Sequence, residues 1–217
     1  GQFQNFLTII IVFISGGFVT GLVRFISENS NAKKQASLNK ESNTDYIKGA
    51  FSFGFLASSL ISIVLILAAH NLSLYIFGTN EFTTIFYILA PALFFIVIYQ
   101  VSVAYLNGAR KIKEMILIKL ISSLSLLFVG AVLIYLYGLY GSLVGLIYMQ
   151  FVAAVFAVKV LWSLPSFSWE WFKLDLNKKV QFDLSSYWLM SLMSLISSAL
   201  VLMLIRKHIA IEDSWAS

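Results

Sequence analysis

The chain has 217 residues, of which 59% are hydrophobic and only 12% charged, whereas a soluble domain carries about 25% charge. That composition excludes an ordinary globular domain and points to an all-α, polytopic membrane protein. The net charge is +5 and cysteine is absent. In so apolar a chain the basic residues report on topology rather than on nucleic acid, and disulfides, thiol nucleophiles and thiolate metal sites are ruled out.

Apolar runs long enough to span a bilayer, about 20 residues each, predict six helices over roughly 5–27, 47–69, 84–107, 114–137, 141–162 and 182–205. The chain opens almost inside the first and stops just after the last, without an initiator Met or signal peptide. It therefore reads as a piece of a longer protein.

The first span raises the main question. Gly17, Thr20, Gly21 and Arg24 fall at i, i+3, i+4 and i+7, one stripe of small and polar side chains on a helix. Such a face packs against protein or lines a cavity, so Arg24 is expected to point inward. Two readings stay open. Arg24 is an anchor that snorkels to water beyond Glu28, or a ligand for something negative. With no carboxylate expected at its depth, an unpaired guanidinium suits a phosphate, which accepts two hydrogen bonds from its planar fork.

A long polar link, "ENSNAKKQASLNKESNTDY", leads to the second span, where Lys48, Ser52, Ser59 and Ser62 share a face. His70 sits at its far end, where an interfacial role is the plain reading. The next link, "HNLSLYIFGTNEFTT", has no Lys or Arg, and Gln100 and Asn107 share a face of the third span. The turn "GARKIKE" contributes Arg110 and Lys111, and Lys119 follows early in the fourth span; "YGLYG" is a neutral tight turn. The fifth link, "SLPSFSWEWFKLDLNKK", mixes tryptophans with lysines. Residues 167–178 are expected either to lie on the membrane surface as a short amphipathic helix or to form an aromatic-anchored linker. In the last span "DLSS" reads as a helix N-cap at Asp183, with a proton- or cation-coupling role as the alternative. Tyr187, Ser191, Ser194 and Ser198 recur there on one face. These neutral stripes fit either helix packing or a partly hydrated central cavity.

Charge placement sets the expected orientation. Of the 15 basic residues, 13 flank the first, third and fifth links, and only Arg206 and Lys207 fall elsewhere. By the positive-inside rule the odd-numbered links are cytoplasmic. A cationic mouth formed by Arg24, Lys48, Arg110 and Lys119 above a polar cavity is what an anionic lipid headgroup would need. No metal cluster, nucleophile with its base, or phosphate-cradling glycine loop is evident, so an enzyme is not expected, and neither is a cofactor or a nucleic-acid partner.

Taken in order, these segments resemble a known family. "NFLTIIIVFISGGFVTGLVRFISE" is similar to the second transmembrane helix of the bacterial O-antigen and enterobacterial-common-antigen flippases. These are polysaccharide transporters of the multidrug/oligosaccharidyl-lipid/polysaccharide exporter superfamily. "LSLYIFGTNEF", "YLNGARKIKE", "YGLYGSLVGLIY" and "DSWAS" resemble successive later segments of those proteins. The resemblance implies that residues 1–217 are a partial amino-terminal lobe, family helices two to seven, of a larger two-lobed, inverted V-shaped transporter. It implies alternating access in a bacterial inner membrane, with undecaprenyl-diphosphate-linked oligosaccharide as substrate and membrane lipids and other polysaccharide-assembly proteins as partners. By position it makes Arg24 the leading diphosphate ligand, with Lys48, Arg110 and Lys119 behind it. A drug or cation antiporter of the same superfamily and a membrane-embedded glycan polymerase or ligase remain the rivals.

Overall fold

The computed structural model describes residues 2–31, 38–164, 167–173, 180–194 and 197. The first span is two helices, α1 (Gln2–Ile11) and α2 (Gly17–Asn31), joined through a π-helical turn at Val12–Gly16 and bent by 48°. The wider π turn inserts a residue into the hydrogen-bond ladder. The Phe13 carbonyl in this turn accepts a 2.6 Å hydrogen bond from Trp188 Nε1.

The second span belongs to α3 (Leu38–Phe77), 40 residues long, well beyond the predicted 47–69. Once the apolar centre is helical, each added residue gains a backbone bond at little cost, so helix extends into polar sequence at both ends. Gly78 stops it with φ 73°, a left-handed conformation that glycine adopts freely. Ser73 Oγ then donates to the Thr79 carbonyl at 2.6 Å across the turn. The predicted 15-residue link shrinks to residues 78–82.

Next come α4 (Thr83–Gly108), α5 (Ile112–Ser125), a π turn at Leu126–Gly130 and α6 (Ala131–Trp162). Residues Ile112–Trp162 form one helical stretch of 51 residues, which straight would be roughly 76 Å long, over twice the ~30 Å hydrocarbon core. It is not straight. Gly138 has φ 57° and ψ −131°, a combination essentially confined to glycine. A Cβ on Gly141 would fall on the Leu133 carbonyl, and one on Gly145 would lie 3.5 Å from Gly130 Cα. Residues 133 and 130 therefore face 141 and 145, the register of an antiparallel hairpin turning at Gly138. The predicted "YGLYG" turn is there, and the stretch makes two passes.

Asn43–Phe77 and Thr83–Gly108 are also long and apolar enough to cross a membrane, and Asn5–Ser15 with Gly17–Glu28 makes a bent span. With the folded hairpin that gives five passes. A last described helix, α7 (180–194), covers the first part of the predicted sixth span; residues 198–205 of that span lie outside the described residues. The chain is an all-α membrane helical bundle.

At its centre α4 packs on α2, α3 and α6, with Phe86, Leu89, Leu93, Ile96 and Val97 fully buried. Pro91 sits inside α4, where it removes one backbone donor. The neighbouring Ala90 carbonyl accepts from Ser62 Oγ at 2.7 Å, tying α3 to α4. Ring contacts fix the antiparallel order. Phe3, Phe77 and Phe86 meet at one end, while Phe25 and Tyr46 meet at the other, hereafter the Arg24 end.

Candidate functional site

The small-residue stripe of the first span is the seat of α7. A Cβ on Gly17 would fall on the backbone of Tyr187 and Trp188, and one on Gly21 would lie 2.8 Å from Tyr187 Cδ2. Only glycine allows this approach, and it sets α7 beside the next residue of the stripe, Arg24. The expected turn of Arg24 toward a neighbouring helix is met, although its side chain stays mostly exposed rather than enclosed.

The expected absence of a partner is not. Arg24 Nε donates to Glu28 Oε1 at 2.7 Å and Arg24 Nη1 donates to Tyr187 Oη at 2.9 Å. Depth along the helix axis does not reveal this carboxylate. Residues four apart on a helix are neighbours whatever their depth. Even so, 62% of the Arg24 side chain and 55% of that of Glu28 remain exposed.

A second polar contact lies beside the first. Tyr46 Oη donates to Asp183 Oδ2 at 3.2 Å, and the Phe25 ring stacks on Tyr46 at 4.2 Å and meets the edge of Tyr187 at 5.9 Å. Thus α2, α3 and α7 join around one cation, two carboxylates and two phenols. The N-cap expected at Asp183 is corrected: α7 is already helical at Val180, so Asp183 lies inside the helix and its carboxylate is turned to Tyr46.

Lys48 belongs to a different assembly. Its Nζ lies 3.6 Å from Glu170 Oε2, only 19% of its side chain is exposed, and Lys173 approaches the same carboxylate at 3.5 Å. Glu170 lies in a 3₁₀ turn, Trp169–Phe172, capped by Ser168 Oγ, which accepts from the Glu170 backbone N–H at 3.2 Å. Trp171 is 2% exposed and packs against Tyr105 at 4.9 Å and Phe167 at 5.5 Å, while Phe172 meets Phe51 at 4.7 Å. Residues 167–173 are therefore closer to the aromatic-anchored linker than to a surface-lying helix, a short 3₁₀ turn pinned into the end of the bundle by Trp171 and Phe172 with Trp169 left exposed. The reason is the run of aromatic rings, which loses more water by docking on α3 and α4 than by lying flat. Residues 174–178 lie outside the described residues.

Arg110 follows the end of α4. A Cβ on Gly108 would lie 2.8 Å from Ile26 Cβ, which brings this turn to the Arg24 end. Arg110 is exposed and has φ 58°. Lys119 is exposed too, but stands about 10 Å of helix rise into α5, which packs on α4 and α6. The structure thus gathers Arg24, Lys48 and Arg110 at one end and leaves Lys119 apart.

The polar stripes divide. On α3, Ser52 and Ser62 are buried. Ser52 and Ser59 donate back to the Lys48 and Phe55 carbonyls at 2.8 and 2.9 Å, so this stripe is packing and not a wet cavity. Gln100, Tyr187 and Ser191 are half-buried, Asn107 and Ser194 are exposed, and Ser198 lies outside the described residues. A groove of about 280 Å³ lies elsewhere, in the hairpin between Leu126, Gly130, Ile134 and Leu146. Among the described residues no group of three or more His, Asp or Glu is placed to hold a metal ion.

Glu28 and Tyr46 were not among the candidates. Glu28 was legible as the i+4 neighbour of Arg24; Tyr46 was not, because its partner is 137 residues away.

No curated protein and no solved structure matches the chain. The sequence pattern of the polysaccharide biosynthesis protein family matches residues 5–209, nearly the whole length. This bundle of membrane helices, with the exposed and doubly bonded Arg24 at its polar end, belongs to the polysaccharide biosynthesis protein family, with a role in the synthesis or export of polysaccharide.

Proposed function

We propose that the chain is part of the amino-terminal lobe of a flippase that moves an undecaprenyl-diphosphate-linked oligosaccharide from the inner to the outer leaflet of a bacterial inner membrane. The headgroup enters at the Arg24 end, taken as cytoplasmic from the basic links, and leaves on the other side after the lobes rock. The lipid tail stays in the bilayer and no covalent chemistry is needed, so the protein is not an enzyme.

One observation carries this reading: Arg24 faces a neighbouring helix, is aimed by Tyr187, and still leaves most of its side chain open. A guanidinium held in place yet accessible suits a phosphate better than does a buried, paired cation. Lys48, engaged with Glu170, is assigned to the scaffold. Arg110 adds positive charge at the same end, and Lys119 has no part in the first contact.

The test is translocation of lipid-linked oligosaccharide by the full-length protein in liposomes, comparing the parent with Arg24→Gln at equal folded amounts. Transport by the parent and a fall of about tenfold or more in the variant support the reading; equal transport reduces Arg24 to an anchor.

A second reading, a drug or cation antiporter of the same superfamily, draws on Asp183 and Glu28, two carboxylates flanking the Tyr46–Phe25 stack. It expects cation efflux driven by a proton gradient and no oligosaccharide movement in the same liposomes.

A further inference from the structure

A phosphate bound fork-to-fork takes two adjacent N–H groups of a guanidinium, either Nε with Nη2 or Nη1 with Nη2. In Arg24, Glu28 accepts from Nε and Tyr187 accepts from one of the two N–H groups of Nη1. A phosphate on the Nε–Nη2 edge must therefore displace Glu28.

The two partners differ in how firmly they are held. Tyr187 sits on α7, its ring against the Cα of Gly21 and the edge of Phe25, so it cannot swing away without moving a packed helix. Glu28 pairs with Arg24 from one turn along the same helix, and its side chain is 55% exposed. An exposed carboxylate on a rotatable stem exchanges with solvent anions at little cost, and a diphosphate brings more charge than a carboxylate.

We propose that Glu28 and Tyr187 act on Arg24 with opposite sign toward a lipid-borne diphosphate: Glu28 competes with it for the guanidinium, and Tyr187 positions the guanidinium to receive it. This rests on the flippase reading. In the empty protein Glu28 neutralises the cation; when the headgroup binds, Glu28 swings out; when the headgroup has crossed, Glu28 returns and helps to keep it from rebinding. The lipid diphosphate thus meets a site whose affinity is deliberately moderated, as a carrier that must also release its cargo requires.

The experiment measures equilibrium binding of farnesyl diphosphate to the full-length protein in nanodiscs at low salt, with inorganic pyrophosphate as a second ligand. Three variants are compared with the parent: Glu28→Gln, Glu28→Asp and Tyr187→Phe. The aspartate keeps the charge but is one methylene shorter and reaches Nε less well. The expected result is that both Glu28 variants bind farnesyl diphosphate about two- to fivefold more tightly, and Tyr187→Phe more weakly by a similar factor.

Tightening by Glu28→Gln without any by Glu28→Asp would mean that only the local field matters, and overturns competition. Weaker binding in all three variants makes Glu28 a second positioning residue and overturns it too. A shift seen with pyrophosphate alone assigns the exchange to free anions rather than to a lipid headgroup, which again overturns the proposal. Failure of the flippase reading is separate: Arg24→Gln then binds farnesyl diphosphate as well as the parent.

Discussion

Two cations stand at the same end of this bundle and live in different worlds. Lys48 is 19% exposed and pinned to Glu170, whose 3₁₀ turn is wedged in place by the buried ring of Trp171. Arg24 is 62% exposed and holds a carboxylate from its own helix and a phenol from α7. The lysine adds an ion pair between α3 and a turn that the rings of Trp171 and Phe172 already dock. The arginine is oriented by the scaffold while its face stays open. Near identical positive charges, read along the chain as one cationic mouth, thus divide into one that fastens and one that is presented. What separates them is the packing around each, not the charge.

The largest effect should come from breaking the fastened side. Trp171→Ala opens a cavity between Tyr105 and Phe167 and should cost about 3–5 kcal/mol, read as a lower thermal midpoint of the purified full-length protein. Trp171→Phe should cost much less. It keeps an aromatic ring and deletes a buried indole N–H that has no acceptor among the described residues, whose desolvation is a penalty in the parent.

The presented side is broken through its glycines. Gly17→Ala drives a methyl group into the backbone of α7 and should destabilise by about 1–3 kcal/mol. Gly21→Ala should cost less, since it meets the side chain of Tyr187 rather than backbone. A spin-label distance between α2 and α7 that lengthens in the first and holds in the second checks the ordering.

Exchanging the cations sharpens the comparison directly. In the transport assay Arg24→Gln should lose about tenfold or more, whereas Lys48→Gln should stay within about twofold of the parent. Lys48→Gln should instead increase proteolysis near residues 167–173. A reversed pattern would assign the open role to the lysine.

The smallest effect is expected at Arg110. Its φ of 58° brings Cβ close to the following carbonyl, which costs a residue other than glycine about 1–2 kcal/mol. Arg110→Gly removes that strain but loosens the unfolded chain, so a gain of at most about 1 kcal/mol is expected in thermal unfolding. A loss would mean that the arginine side chain holds the turn more strongly than its backbone resents it.

Much was legible in the linear sequence because its causes are local. Apolar run length set the spans, the stripe of Gly17, Thr20 and Gly21 set the face on which a neighbour would pack, and Gly138 within "YGLYG" set a turn. Each depends on residues within about one or two helical turns of one another. The span boundaries were less legible: α3 runs on to Phe77 because hydropathy marks where a membrane ends, not where a helix does.

The partners were decided by tertiary structure. Arg24 meets Tyr187 across 163 residues and Tyr46 meets Asp183 across 137, and no period or spacing encodes such pairs. The docking of Trp171 is of the same kind, for an aromatic run that suits a membrane surface equally suits a gap between helices. By itself the sequence determined that this chain is a bundle of membrane helices with its basic residues gathered between alternate spans. Which cation is clamped and which is left open was decided only when close helix approach at Gly17 and Gly21, and a ring-sized gap beside Tyr105, fixed what each side chain could touch.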